Sequence, residues 1–159
     1  MYLHPDDRFL YDAARDQAKF FGLSLDQPPP VDRSYGDYPE ISVGRYLIRI
    51  HHTPGHSPGG VCLEVPPLDN GSSAQGRHPD DPPRAQGSAD RGAGRTLFVG
   101  DTLFAGSIGR TDLPGGDYDT LIRSITHVLF RMGDAAEVYP GHGPKTTIGQ
   151  ERRTNPFLQ

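Results

Sequence analysis

The chain has no tryptophan, one cysteine and two methionines in 159 residues. A lone cysteine excludes an intrachain disulfide, and with it a small secreted fold held by bridges. No run approaches the roughly 18 apolar residues that a membrane span needs. The opening Met1-Tyr2-Leu3-His4-Pro5-Asp6-Asp7 carries charge too early for a signal peptide. A soluble, cytoplasmic protein without a membrane partner is the expectation. Sixteen Lys and Arg against 20 Asp and Glu give a net charge of -4, which excludes a strongly basic nucleic-acid binder. Only 34% of the residues are apolar, so the core is modest. Length predicts one domain over 1–159.

Gly and Pro are plentiful but unevenly placed, and their positions divide the chain. Pro5 suits a first helical position, Asp6 and Asp7 favour the positive end of a helix dipole, and Gly22 supplies a stop. Leu10, Ala14, Ala18 and Phe21 keep helical spacing, so a helix is predicted over 5–21. Leu25 to Tyr38, with Pro28, Pro29, Pro30 and Gly36, reads as loop. Strands are predicted at Ile41 to Val43, Tyr46 to His51 and Val61 to Val65, with Gly44-Arg45 as a tight turn. A fourth runs from Thr96 to Val99 and ends at Gly100-Asp101. Tyr118, Leu121, Ile122, Ile125, Val128, Leu129 and Met132 mark a helix that Asp117 can cap and Gly133 can end. A strand at Glu137 to Tyr139 and a helix around Ile148 to Arg153 complete a mixed α/β order.

Between the third and fourth strands, residues 66–95 hold five Pro, five Gly, four Asp and four Arg, with Leu68 the only large aliphatic residue. Such a segment buries too little apolar surface to offset its ordering entropy, and it reads as a flexible, low-complexity insert.

Three residues able to bind metal share one context, a Gly/Pro-rich turn just past a predicted strand. They are His56 in His52-Thr53-Pro54-Gly55-His56-Ser57-Pro58-Gly59, Asp101 in Val99-Gly100-Asp101-Thr102, and His142 in Pro140-Gly141-His142-Gly143. Loops at strand ends are where rigid scaffolds present reactive groups. Imidazole with carboxylate suits zinc, or iron and manganese as neighbours in the same chemistry. Cys62, in mid-strand, reads as a small core residue rather than a nucleophile.

Four blocks carry a resemblance: HTPGHSPGG (52–60), FVGDTLFAGSIGRTDLPGGD (98–117), YPGHGPKT (139–146) and ERRTNPFL (151–158). In this order they resemble the metallo-β-lactamase superfamily, and within it the glyoxalase II-like single-domain hydrolases. The resemblance implies an αβ/βα sandwich and a two-zinc site. His56 would bind the first ion, Asp101 would bridge both as the catalytic carboxylate, and His142 would bind the second. Arg110 and Asp112 would anchor the loop behind Asp101, and His51 and His52 match no ligand. The implied substrate is a small thioester of the acylglutathione type, with its binding residues unknown. The family's His-x-His-x-Asp-His motif is absent from these 159 residues. The expectation is therefore a partial sandwich with its N-terminal strands missing, which binds metal weakly and at most one ion. Such a chain would also leave a sheet edge and an apolar face of helix 5–21 uncovered, favouring a homo-oligomer. Two alternatives stand beside the hydrolase. One is a persulfide dioxygenase-like iron enzyme, which shares the GRTD block; the other is a non-catalytic remnant of the fold.

Loop-closure entropy changes only slowly with length. Replacing residues 68–94 by a short turn is expected to change unfolding free energy by less than about 2 kcal/mol, as checked by urea melts of both forms.

Overall fold

Alternation along the strands decides which face of the sheet is covered. In the computed structural model, which describes residues 1–67 and 94–159, Cys62 and Glu64 are buried while their neighbours in the strand are not. Leu97 and Val99 are likewise buried, and Phe98 between them is 48% exposed. This period of two places one set of side chains under the helices and the other on the open face.

The elements in chain order are β1 (Tyr2–Leu3), α1 (Arg8–Asp12), α2 (Ala14–Phe20), β2 (Arg33–Ser34), β3 (Glu40–Val43), β4 (Tyr46–His52), β5 (Val61–Val65) and β6 (Thr96–Gly100). Then come β7 (Leu103–Phe104), β8 (Ser107–Ile108), α3 (Tyr118–Arg123, running on as wider and tighter turns to Met132), β9 (Glu137–Pro140), β10 (Thr146–Thr147) and α4 (Ile148–Thr154). Six strands form a mixed sheet in the order β10-β9-β6-β5-β4-β3. Within this sheet β6 and β9 pair in parallel, across the α3 crossover, and the other neighbours are antiparallel. The short pairs β1-β2 and β7-β8 stand apart from it.

Leu121, Ile125 and Leu129 of the α3 region and Ile148 of α4 pack with Cys62, Leu97, Val99 and Val138 of the sheet, all at most 1% exposed. This is an α/β sandwich with its helices on one side of a mixed sheet, as expected of an incomplete αβ/βα fold. The four longer predicted strands and the two C-terminal elements stand within a residue or two of their expected ends. Burial pushes the Cys62 thiol up to about 12, which makes it a core residue and not a nucleophile.

Three expectations differ in detail. The 5–21 helix begins as a tight turn at Pro5–Asp7 and breaks at Ala13, where ψ is -3°. Its spacing would place Phe21 inward with Leu10, Ala14 and Ala18, yet Phe21 is 70% exposed. The predicted loop 25–38 contains β2, which pairs with β1. Residues 68–93 of the low-complexity insert lie outside the described residues.

Leu121→Ala is expected to cost about 2–5 kcal/mol, because it opens a cavity between α3 and the sheet. Phe20→Ala, on an exposed surface, should stay within about 0.5 kcal/mol. Urea denaturation of the two variants checks the contrast.

Candidate metal centre

Each of the three sequence-singled residues sits where a strand runs out. His56 lies in the loop between β4 and β5, Asp101 directly follows β6, and His142 follows β9. Because β5, β6 and β9 are neighbours, their loops meet at one sheet edge. The Asp101 carboxylate stands between the two imidazoles: its Oδ2 is 3.9 Å from His56 Nε2 and 3.4 Å from His142 Nε2. A pocket of about 290 Å³ is lined there by His56, Ser57, Gly60, Val61, Val99, Gly100, Asp101 and Thr102.

Close backbone contacts hold these loops. A Cβ at Gly141 would strike Asp101 Oδ1, and one at Gly109 would strike the Asp101 carbonyl. Glycine at both positions is therefore a packing requirement of the carboxylate. Gly55 lies against the Leu121 backbone, and Ser124 donates a 2.6 Å hydrogen bond to the Pro54 carbonyl. The α3 region thereby steadies the His56 loop, with Asp117 capping its first turn through Thr120 N at 2.7 Å.

His56 Nδ1 donates to the Arg110 carbonyl at 2.9 Å, so the Nε2 lone pair is left toward Asp101. Such a second hydrogen bond fixes tautomer and ring orientation in metal-binding histidines. The part of Arg110 that reaches the site is thus its backbone. Its guanidinium donates twice to Asp112, at 2.8 and 2.7 Å, and holds that carboxyl down at about 2.

Sequence reasoning passed over two carboxylates. Glu151, fully buried in α4, accepts from Thr146 Oγ1 at 2.5 Å, Gly106 N at 2.8 Å and Asn155 Nδ2 at 2.8 Å. It joins the hairpin after Asp101 to the strand after His142. Asp7 accepts from Ser57 Oγ at 2.8 Å and Gly59 N at 2.7 Å, so it ties the start of α1 to the His56 loop. Only the ERRTNPFL block hinted at the first, and nothing local marked the second.

His51 and His52 lie away from this cluster. His51 Nε2 pairs with buried Glu64 at 2.7 Å. His52 Nε2 donates to the Pro58 carbonyl at 2.8 Å, and its ring stacks on His4 at 4.1 Å with 12° between planes. Ligand atoms of His4, Asp6 and His52 all lie within 4.8 Å of one another. An ion must lie near the plane of every imidazole that binds it, and two stacked, near-parallel rings offer no common point. His4 Nδ1 also already accepts from Asp6 N at 3.3 Å. As placed, this trio is a stacking contact.

A model of the metallo-beta-lactamase superfamily matches residues 77–142. The hydroxyacylglutathione hydrolase GloC of Haemophilus influenzae is 38% identical over 154 residues, covering 96% of this chain and 60% of that protein. Among solved structures, BLEG-1 B3 metallo-beta-lactamase superposes with a TM-score of 0.73 at 34% identity, over 99% of this chain and 64% of that one. TTHA1623 in a di-iron-bound form gives 0.68 at 37% identity, with the same coverage. The chain thus resembles metallo-beta-lactamase superfamily proteins, and it spans about 64% of the length of these structural relatives. Among the described residues, no helix is long and apolar enough to cross a membrane.

Desolvation, and then the neighbouring His52, lower the His4 pKa below its ordinary 6.5, against raising contributions from Asp6 and Asp7. The folded state therefore binds less proton than the unfolded state just below pH 6.5. This contribution to stability is fully present above pH 6.5 and is lost as pH falls through the lowered folded value. His4→Gln is expected to flatten the fall in stability below pH 6.5, as measured by urea midpoints across pH 5 to 8.

Proposed function

We propose that the chain forms part of a metal-dependent hydrolase of thioesters, with His56, Asp101 and His142 as metal ligands and Asp101 as the carboxylate shared between two ions. The observation that carries this reading is the Asp101 carboxylate, whose Oδ2 faces His56 Nε2 at 3.9 Å and His142 Nε2 at 3.4 Å. The donor set suits zinc, with iron and manganese as alternatives. Divalent cations held there would supply Lewis acidity, lowering the pKa of a water and polarising a carbonyl.

The chain's own residues then have defined tasks. His56 keeps its Nε2 lone pair available because Nδ1–H is committed to Arg110. Asp101 faces both imidazoles, and its position is set by the glycines at 109 and 141. Among the described residues, the titratable groups lining the pocket at this edge are His56 and Asp101, and both are taken up as metal ligands in this reading. That favours a substrate whose leaving group departs unprotonated. A thiol, with a pKa near about 8.5, does so far more readily than an alcohol or amine. The overall reaction adds water across the acyl carbon–sulfur bond and yields a carboxylic acid and a thiol. The likeness to GloC, named a hydroxyacylglutathione hydrolase, supports an acylglutathione-type substrate.

Cobalt titration followed by visible absorption tests the assignment. With three ligands split about one carboxylate, the 159-residue chain is expected to bind loosely, in the micromolar range or weaker. Asp101→Asn should weaken binding by about tenfold or more, because it removes the shared anionic ligand. His52→Ala should leave it within about twofold, because that ring stacks on His4. Unchanged affinity in Asp101→Asn would overturn the proposed site.

A further inference from the structure

A second cavity opens on the far side of His56. It holds about 520 Å³ and is walled by Leu10, Phe20, Phe21, Leu113 and Pro114, with His56 and Ser57 at its inner end. His56 and Ser57 also line the pocket around Asp101, so the two spaces meet at the same side chains. The volume falls within the range usual for small-molecule sites.

Phe20 and Phe21 stand edge to face, with centroids 5.4 Å apart, and are 85% and 70% exposed. Two adjacent phenyl rings held open to water beside a candidate reaction site call for an apolar occupant. The opposite wall is fixed. Gly115, at a φ of 89°, lies so close to Pro58 and Phe9 that an added Cβ would come within 2.8 and 3.2 Å of them. This holds Leu113 and Pro114 in place against the His56 loop. Among the described residues the one cation in the lining, Arg110, is committed to Asp112 through two hydrogen bonds. The groove is therefore apolar and charge-balanced, which disfavours dicarboxylic or aminoacyl groups.

We infer that this groove binds the acyl chain of the substrate, so that the site takes thioesters of neutral aliphatic or aromatic acids larger than acetyl. The inference rests on the metal-site reading above and sets the scissile carbonyl beside His56. Phe20, Phe21 and Leu113 are specificity residues for chain length and carry no part of the metal centre.

Two unreactive amides test it on the full chain: N-acetyl-N′-hexanoylethylenediamine and N,N′-diacetylethylenediamine, titrated by calorimetry. Each buried methylene strengthens binding about fourfold, so four half-buried ones should give the hexanoyl amide a preference of roughly tenfold. Phe20→Ser, Phe21→Ser and Leu113→Ser combined touch only exposed side chains and should reduce that preference to about twofold or less. Asp101→Asn should keep it. Equal affinity for the two amides, or a preference that survives the triple variant, overturns the inference. So does dimerisation that the triple variant abolishes while no hexanoyl preference exists, because the groove would then be a self-association face. The metal reading fails separately, in the cobalt titration of Asp101→Asn, and its failure leaves the amide preference to be read on its own.

Discussion

The buried carboxylate of Glu151 keeps two of the three candidate ligands in register. It lies at the start of α4 with no cation among the described residues against it, and its charge is met by the Thr146 hydroxyl, the Gly106 amide and the Asn155 side chain. Burying an ion is costly unless its lone pairs are filled, and hydrogen bonds to a charged acceptor are the strong ones. Each donor belongs to a different piece of the edge: the turn between β7 and β8 beyond Asp101, the strand β10 beyond His142, and α4 itself. Asn155 donates as well to the Ser107 carbonyl at 3.0 Å, closing the same junction. With this anchor in place, Asp101 and His142 come to a common edge, whatever the conformation of the chain between them.

Around that anchor, the carboxylate of Asp101 is shaped by what is left out. Gly109 and Gly141 face its carbonyl and its Oδ1 so closely that no side chain fits, and Gly141 N donates to Gly100 O at 2.8 Å. The backbone packs around the group from both sides, which restricts its rotamers without a partner charge. His56 is fixed differently, by one hydrogen bond from Nδ1 and by the contacts of Gly55 and Pro54 with α3. Preorganisation of this kind lowers the entropy lost when an ion or ligand arrives.

The strands and the C-terminal helices were legible because their side chains obey one period over four or more residues. The Leu121, Ile125, Leu129 row shows it directly and is fully buried, and Val61 to Val65 alternates, with Cys62 and Glu64 buried and the residues between them half-buried. The pairs β1-β2 and β7-β8 were not legible, since two residues carry no period. The break at Ala13 was hidden as well: alanine is the strongest helix former, and the turn there follows from docking rather than propensity. For the site, Gly/Pro-rich turns pointed to His56, Asp101 and His142, and the fold brings all three to one edge. Asp7 escaped because its partners lie 50 and 52 residues away in sequence, and Glu151 because the Gly106 amide that links it to the site lies 45 away. A helix N-terminus full of aspartates looks the same from sequence whether one of them clamps a distant loop or none does.

The distribution of burial divides the molecule in a way that bears on the groove. Among the described residues none before Thr53 is fully buried, whereas the hydrophobic core is drawn entirely from Cys62 to Ile148. The part of the N-terminal segment before β3 reaches the rest of the molecule through point contacts: the two Asp7 hydrogen bonds, the His4–His52 stack and the packing of Phe9 against Gly115. Segments with few buried apolar contacts open at lower free energy than the core. When this one opens, the Leu10–Phe21 wall leaves, and with it the Asp7 hold on the loop that carries His56. In the proposed reading, acyl-chain binding and the position of His56 as a metal ligand therefore draw on the same local equilibrium. An occupant that bridges Phe20 and Leu113 would favour the closed segment, in which the Asp7 hydrogen bonds to the His56 loop are formed.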